Sequence, residues 1–318
     1  MKKQILITGT AGFVGFHLAK ALIDKKFNVI GIDNYSKSYE LKLKKLRIKK
    51  LEKYKNFQFL KKDLKNIGKI KIKKKISAIF HLAAEAGVRR SVEKPLEYVE
   101  ENIANTIRVF EFAKTNKINL IYYASSSSIY GDKGVYPTSE KISVDQPISI
   151  YGITKICTEN IAYYYFKIFN ISSVGFRFFT VFGPYGRPDM SIFIFIKSIL
   201  QKKTLYLNNY GKNFRDFTYI DNVISYMLGV YNKTNIKKNF FHVFNIGGEK
   251  TISINNLVKK LEEFMGIRAK KKNMPKIKLD PVYSLATSNK IKKFLNKSFK
   301  HDFDKGLKET IKWIKTYI

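Results

Sequence analysis

At 318 residues the chain is long enough for about two domains, and 45% hydrophobic residues make it globular rather than disordered. The formal charge of +35 invites a nucleic-acid partner, yet only 8 of the 60 basic residues are Arg, and the Lys excess travels with abundant Ile, Asn, Phe and Tyr. That is a drift in residue usage rather than a phosphate-binding patch, so no nucleic-acid partner is expected, and SIFIFI before Lys197 is far short of the ~20 apolar residues that span a bilayer.

In chain order, MKKQILITGT has a charged start and an apolar run, but it breaks into a turn at Thr8 and Gly9 with no small-residue cleavage site, so it predicts a strand and not a signal peptide. FVGFHLAKALIDKK then repeats apolar residues at helical spacing, and FNVIGID is a second strand. The lysine runs LKLKKLRIKKLEKYK and KNIGKIKIKKK read as solvated faces of ordinary elements. FQFLKKDL, SAIFHLAA and INLIYYASS supply further strands, separated by helical segments such as YVEENIANTIRVFEFAKTN. Strands alternating with helices predict an α/β protein, a doubly wound parallel sheet with helices on both faces. After about Ser173 the alternation loosens into SVGFRFFTVFG, TLYLNN, RDFTYID and HVFNIGG, a smaller C-terminal lobe. The expected division is 1–175 and 176–318, with a segment near 225–250 returning to the first sheet. The one cysteine, Cys157, rules out an intramolecular disulfide and favours a cytoplasmic protein.

Three stretches carry chemistry. TGTAGFVG sets Gly9, Gly12 and Gly15 between a strand and a helix, where glycines permit a tight turn and close backbone approach to a pyrophosphate. Asp33 ends the second strand 18 residues past Gly15, placed to accept from an adenosine ribose and to repel a 2′-phosphate, which favours NAD over NADP. Asp63 ends the third strand, near the adenine or as a helix cap. YGITK puts Tyr151 and Lys155 four apart on one helix face, where an ammonium favours the phenolate. Ser126 lies 25 residues earlier in YASSSSIYG. The histidines, His17, His81, His242 and His301, lack metal-ligand spacing, and no metal site is expected.

With TGxxGxxG, a strand-end Ser and YxxxK in order, the chain resembles the extended short-chain dehydrogenase/reductase superfamily. The resemblance implies a Rossmann NAD-binding domain beside a substrate-binding lobe. It also implies that Tyr151 transfers the proton, that Lys155 holds the nicotinamide ribose and lowers the tyrosine pKa, and that Ser126 bonds the reacting hydroxyl, with the other serines lining the same pocket. Cofactor contacts are implied from Gly9, Gly12, Phe13, Val14, Gly15, Asp33, Asn34, Asp63, Leu64, Leu82, Ala83, Ala84 and Asn102. Sugar-nucleotide dehydratases of the superfamily carry Asp-Glu where this chain has Ser127 and Ser128, so elimination is poorly supported.

HLAAEAGVRRSVEKP, YASSSSIYG, GFRFFTVFGPYGRPDM and RDFTYID are similar to the UDP-glucuronate 4-epimerases. That similarity implies a UDP-sugar substrate, with Arg215 on its pyrophosphate, Arg187 facing a hexuronate carboxylate, and Ser127, Ser128, Arg89 and Thr180 around the sugar. For Arg89 and Arg90, which follow the loop AAEAGV, a helix-capping or phosphate role and a catalytic one both stay open. Leu279 and Thr287 depart from the family pattern. The remaining readings are a UDP-glucose or N-acetylhexosaminuronate 4-epimerase, a UDP-glucuronate decarboxylase, and a non-catalytic basic NAD- or nucleic-acid-binding protein. Relatives commonly form homodimers through a helix pair.

Overall fold

The computed structural model describes residues 3–71, 74–237 and 239–318. Its first half runs β1 (Gln4–Thr8), α1 (Phe13–Asp24), β2 (Asn28–Asp33), α2 (Leu41–Leu51), β3 (Phe57–Lys61), β4 (Ile76–His81), α3 (Val88–Glu93), α4 (Pro95–Tyr98), α5 (Asn105–Thr115), β5 (Leu120–Ser126), α6 (Ile150–Phe169) and β6 (Ser172–Phe178). Then come β7 (Thr180–Phe182), α7 (Ser191–Leu200), β8 (Leu205–Asn208), β9 (Phe214–Tyr219), α8 (Ile220–Thr234), β10 (Phe241–Ile246), β11 (Thr251–Ser253), α9 (Ile254–Met265), β12 (Lys271–Met274), α10 (Asn289–Leu295) and α11 (Phe303–Tyr317).

Two compact units result. The first holds Met1–Gly131, Ser143–Phe178 and Ile224–Phe244, and the second holds Asp132–Ile142, Phe179–Val223 and Asn245–Ile318. The sequence reading places a boundary at 175 and a return near 225–250; the excursion over Asp132–Ile142 has no counterpart in it.

In the first unit seven strands lie in the order β10-β6-β5-β4-β1-β2-β3. The order reverses between β1 and β4, which pair in parallel, and in such sheets ligands bind outside the carboxyl ends of the strands at that reversal. Sheet residues alternate between two packed faces. On one, Phe80, Tyr122 and Phe176 stack across β4, β5 and β6 with ring centroids 4.5 and 6.2 Å apart, and the Tyr122 hydroxyl bonds Thr234 Oγ1 at 2.6 Å. On the other, Ile79, Ile121 and Tyr123 pack with Val109 and Phe110 of α5 and Ala162 and Tyr165 of α6. Between α4 and α5 the helix widens into a π turn over Val99–Ala104, a deviation found mostly near functional sites.

The expectation that LKLKKLRIKKLEKYK is a solvated face is corrected on α2. Lys44 and Arg47 are buried, Arg47 completely, because the loop Ser36–Tyr39 and the glycine turn offer them oxygen acceptors. Of the second run, Ile72 and Lys73 lie outside the described residues.

In the second unit β7 pairs with β9 in parallel and β11 with β9 antiparallel, while β8 and β12 form a separate pair. Asp216 on β9 is fully buried and accepts from the backbone N–H groups of Gly248 (2.5 Å), Ala286 (2.9 Å) and Glu249 (3.2 Å). Burial pushes this carboxyl up to about 6 despite those three donors. The excursion joins the same unit by strand-like bonds, Thr138 N–H to the Leu285 carbonyl at 2.7 Å and Thr287 N–H to the Thr138 carbonyl at 2.9 Å. Trp313 on α11 packs on Tyr185 and on Phe193 of α7. Among the described residues no helix is long and apolar enough to cross a membrane.

Candidate active site

The glycine turn is shaped by contacts that exclude side chains. Gly9 has φ +75°, and its N–H bonds the Ile32 carbonyl at 2.8 Å. A Cβ on Gly9 would lie 2.6 Å from Ala83 N, and one on Gly15 would lie 2.2 Å from the Gly9 carbonyl oxygen. Gly12 caps α1 with no side-chain acceptor on its first amides. This is a cradle that only glycines can form, at a helix N-terminus suited to an anion, and it fits the pyrophosphate of a dinucleotide. Phe13 is buried and Val14 half-buried in the first turn of α1.

Asp33 is buried at the end of β2, where Oδ2 accepts from Ala11 N–H at 3.0 Å and Oδ1 from Tyr35 N–H at 2.8 Å. Burial raises its carboxyl above the usual range, opposed by Lys44, the two amides and Arg47. Arg47 donates to the Ala11 carbonyl at 2.7 Å and to the Tyr39 hydroxyl at 2.5 Å, while Lys44 donates to Ser36 O at 2.7 Å. Asp63 both caps the following 3-10 turn, accepting from Lys65 N–H at 2.9 Å, and accepts from Asn34 Nδ2 at 3.0 Å. Leu64 is buried after it, and Leu82, Ala83 and Ala84 are half-buried after β4.

Asn102 sits in the π turn with its amide committed to protein. Oδ1 accepts from Glu85 N–H at 2.8 Å, and Nδ2 donates to the Glu85 carbonyl at 2.9 Å and to Thr154 Oγ1 at 3.0 Å. It ties the loop after β4 to α6, and whatever it does for a cofactor passes through that loop. His81 is held between Thr8 Oγ1 (2.8 Å) and Thr106 Oγ1 (3.2 Å), and burial pushes it down to about 3, so it stays neutral. On α3, Arg90 pairs with Glu97 at 2.7 Å and Glu85 at 3.3 Å; Arg89 beside it is exposed.

Helix α6 begins with Ser149, whose Oγ accepts from Gly152 N–H at 3.0 Å, a side-chain cap that sets Tyr151 in the first turn. Lys155 Nζ lies 5.9 Å from the Tyr151 ring centroid and donates to the Ala124 carbonyl at 3.0 Å. Burial pushes Lys155 down to about 8, opposed by Glu159. The four serines divide their work. Ser126 Oγ accepts from Ser128 N–H at 3.1 Å and donates to Ser128 Oγ at 3.2 Å, which closes the turn, while Ser127 and Ser128 are half-buried. Ser125 does not line the pocket with the others as expected: it is buried, and its hydroxyl donates to Glu159 Oε1 at 2.6 Å.

In the second unit Thr180 starts β7, half-buried and in register with Phe217. Arg187 meets Asp189 through two bonds, 3.0 Å from Nε and 2.6 Å from a terminal nitrogen. Arg215 donates to Asp280 Oδ1 at 2.5 Å, and Asn213 Nδ2 donates to Oδ2 of the same aspartate at 3.1 Å.

Residues 5–247 match the model of the NAD dependent epimerase/dehydratase family. The chain belongs to that family. It is 38% identical to a UDP-glucuronate 4-epimerase of Thermodesulfobacterium geofontis, over 98% of this chain and 96% of that one. An uncharacterised protein of Methanocaldococcus jannaschii is 41% identical over 98% of this chain and 96% of its own length. Among solved structures, the UDP-glucuronic acid 4-epimerase of Bacillus cereus in complex with UDP-glucuronic acid and NAD superposes with a TM-score of 0.92 at 35% identity, covering 99% of this chain and 100% of that one.

For a chain of this epimerase/dehydratase family, sequence reasoning missed three sets of residues. Lys44 and Arg47 were hidden by a lysine run in which every position looks alike. Asp280 lies in the segment whose motif departs from the family pattern. Glu159 and Arg177 had a signal that was available: Glu159 extends the four-residue spacing of Tyr151 and Lys155, and Arg177 is the one charge in the apolar strand SVGFRF.

Proposed function

We propose that this family member inverts C4 of UDP-glucuronate, giving UDP-galacturonate reversibly through a 4-keto sugar. The observation that carries the reading is the Tyr151–Lys155 pair on α6 facing the serine turn, with hydroxyls at 127 and 128 where a dehydratase needs an acid pair. The Bacillus cereus and Thermodesulfobacterium relatives supply the uronate.

Tyr151 takes the proton from the 4-hydroxyl and returns it, and Ser126 bonds that oxygen. Lys155 must be charged to favour the phenolate, and because burial lowers its pKa to about 8, alkaline pH removes that charge. Bound NAD would supply the hydride acceptor and donor that inversion at C4 requires. Gly9, Gly12 and Gly15 receive its pyrophosphate, and the remaining lone pairs of Asp33 accept from its adenosine ribose. Arg215 grips the UDP pyrophosphate, common to every substrate, with Asp280 orienting its fork. Arg187, turning from Asp189, holds the hexuronate carboxylate. A 4-keto uronate is a β-keto acid, so a fixed carboxylate also slows loss of CO₂.

The enzyme acts as a homodimer. Leu96 and Ile107 on the α4–α5 stretch and Ile153, Tyr164 and Ile168 on α6 are exposed, Leu96 at 81% and Ile168 at 58%, an apolar area suited to a second copy of the same helix pair. The single cysteine and the nucleotide-sugar substrate fit the cytoplasm.

The deciding experiment incubates purified protein with UDP-glucuronate, UDP-glucose and UDP-N-acetylglucosamine and follows products by NMR. UDP-galacturonate is expected. Equal turnover of UDP-glucose would sink the uronate reading, and a UDP-pentose with CO₂ would replace it by decarboxylation. Tyr151→Phe is expected to abolish turnover while leaving NAD bound; activity within about tenfold of the parent would mean another base acts.

A further inference from the structure

We propose that Glu159, clamped by Arg177, is a positioning residue for the epimerisation, gripping the serine turn from within the core and holding it in register with Lys155. The inference rests on the assignment of Ser126, Tyr151 and Lys155 above.

Tyr151, Lys155 and Glu159 follow one another at four-residue steps along one face of α6. Strand β6 faces the turn from the other side, with Arg177 in register with Ser125. Arg177 makes a bidentate pair with Glu159, Nε to Oε1 at 2.9 Å and a terminal nitrogen to Oε2 at 2.7 Å, and its other terminal nitrogen donates to the Tyr130 hydroxyl at 2.8 Å. The guanidinium also lies over the Tyr130 ring, 5.1 Å from its centroid. The turn is therefore held three times: Ala124 by Lys155 Nζ at 3.0 Å, Ser125 by Glu159 at 2.6 Å and Tyr130 by Arg177 at 2.8 Å. Ser126, Ser127 and Ser128 hang between those points.

Both partners of the pair are buried. Buried ion pairs seldom stabilise a fold more than apolar residues of the same volume, so stability alone is a weak reason for charge here. Geometry is a stronger one, because a bidentate pair has one arrangement and an apolar contact has many. The charged and titratable groups around Lys155 and Glu159 are these two and Tyr151 on α6, His81 on β4 beside Lys155, and Tyr123 on β5 and Arg177 on β6 beside Glu159. Of these His81 is neutral, Tyr123 is pushed well above the ordinary phenol value by burial, and Glu159 is the one that favours the charged amine.

Substitutions at Ser125 and Glu159 separate positioning from scaffolding, each measured on NAD-loaded protein with melting followed in parallel. Ser125→Ala removes one bond and leaves the ion pair intact; kcat for UDP-glucuronate is expected to fall about tenfold, with KM within about twofold and the alkaline limb of the pH profile unmoved. Glu159→Gln keeps the shape and removes the charge, so kcat falls and the alkaline limb moves toward neutral by about one pH unit, since Lys155 loses the neighbour that favours its proton. Glu159→Asp restores the limb while kcat stays low. Should Glu159→Gln fail to fold with Arg177 left uncompensated, Glu159→Gln with Arg177→Met is used, and a shift in the same direction is expected. The proposal is overturned if Ser125→Ala keeps kcat within twofold, or if the charge-removing variant lowers the melting point with the alkaline limb in place. Retained activity in Tyr151→Phe would instead overturn the catalytic assignment beneath it.

Discussion

Arg187 and Arg215 each come with an aspartate partner, and the partners predict different behaviour. Charge-assisted hydrogen bonds are worth about 1.5–3 kcal/mol, so Arg187→Leu should weaken use of UDP-glucuronate by roughly ten- to a hundredfold and hardly change UDP binding by calorimetry. Arg215→Leu should weaken UDP itself. Equal damage to UDP and UDP-glucuronate from Arg187→Leu would make Arg187 a nucleotide or scaffold residue. In the first unit the Asp33 carboxylate, held by two backbone amides, would repel a 2′-phosphate. NAD is therefore expected to bind more tightly than NADP, and equal affinities in a fluorescence titration would refute the part given to Asp33. Lys44 and Arg47 temper that exclusion, because two buried cations on α2 flank the same carboxylate.

At the scale of elements, the glycine turn and α1 stand or fall together. Gly15→Ala would push a methyl to 2.2 Å from the Gly9 carbonyl, so the helix must move off the sheet. Loss of bound NAD and a lower melting point are expected together, and retention of both would contradict the packing described. The apolar strands and the helix carrying Tyr151 and Lys155 were legible because buried parallel strands read as continuous apolar runs and a helix face as a four-residue step. Asn102's turn was not, since a π turn adds one residue without disturbing the hydrophobic pattern. Arg47 was missed for a related reason. Periodicity reports which positions face inward, but it cannot say that a cation will find carbonyl acceptors there. Ser126 was singled out by its spacing from Tyr151, while the tie of Ser125 needed three dimensions: its partner is 34 residues away.

For the whole molecule the charge of +35 attracts an anionic nucleotide sugar from a distance. Raising NaCl from about 50 to about 500 mM should lower kcat/KM several-fold and leave kcat unchanged, because screening slows encounter and not chemistry. A fall in kcat as well would place the salt effect in the site. The apolar stripe on α4–α6 predicts a dimer by sedimentation, and Ile168→Glu should yield monomers. A parent already monomeric at micromolar concentration would remove that stripe from consideration as an interface.

The chain crosses between its two units at Gly131, Ile142, Phe178, Val223 and Phe244. A cut after Phe178 would strip the first unit of β10 and most of α8, baring Phe80 and Tyr122, and would strip the second of the stretch through Thr138. Neither fragment carries what it needs to fold alone. The five crossings thus work as stitching: heat should melt the protein in one calorimetric transition with equal calorimetric and van't Hoff enthalpies, and gene fragments divided at that point should complement each other only when expressed together.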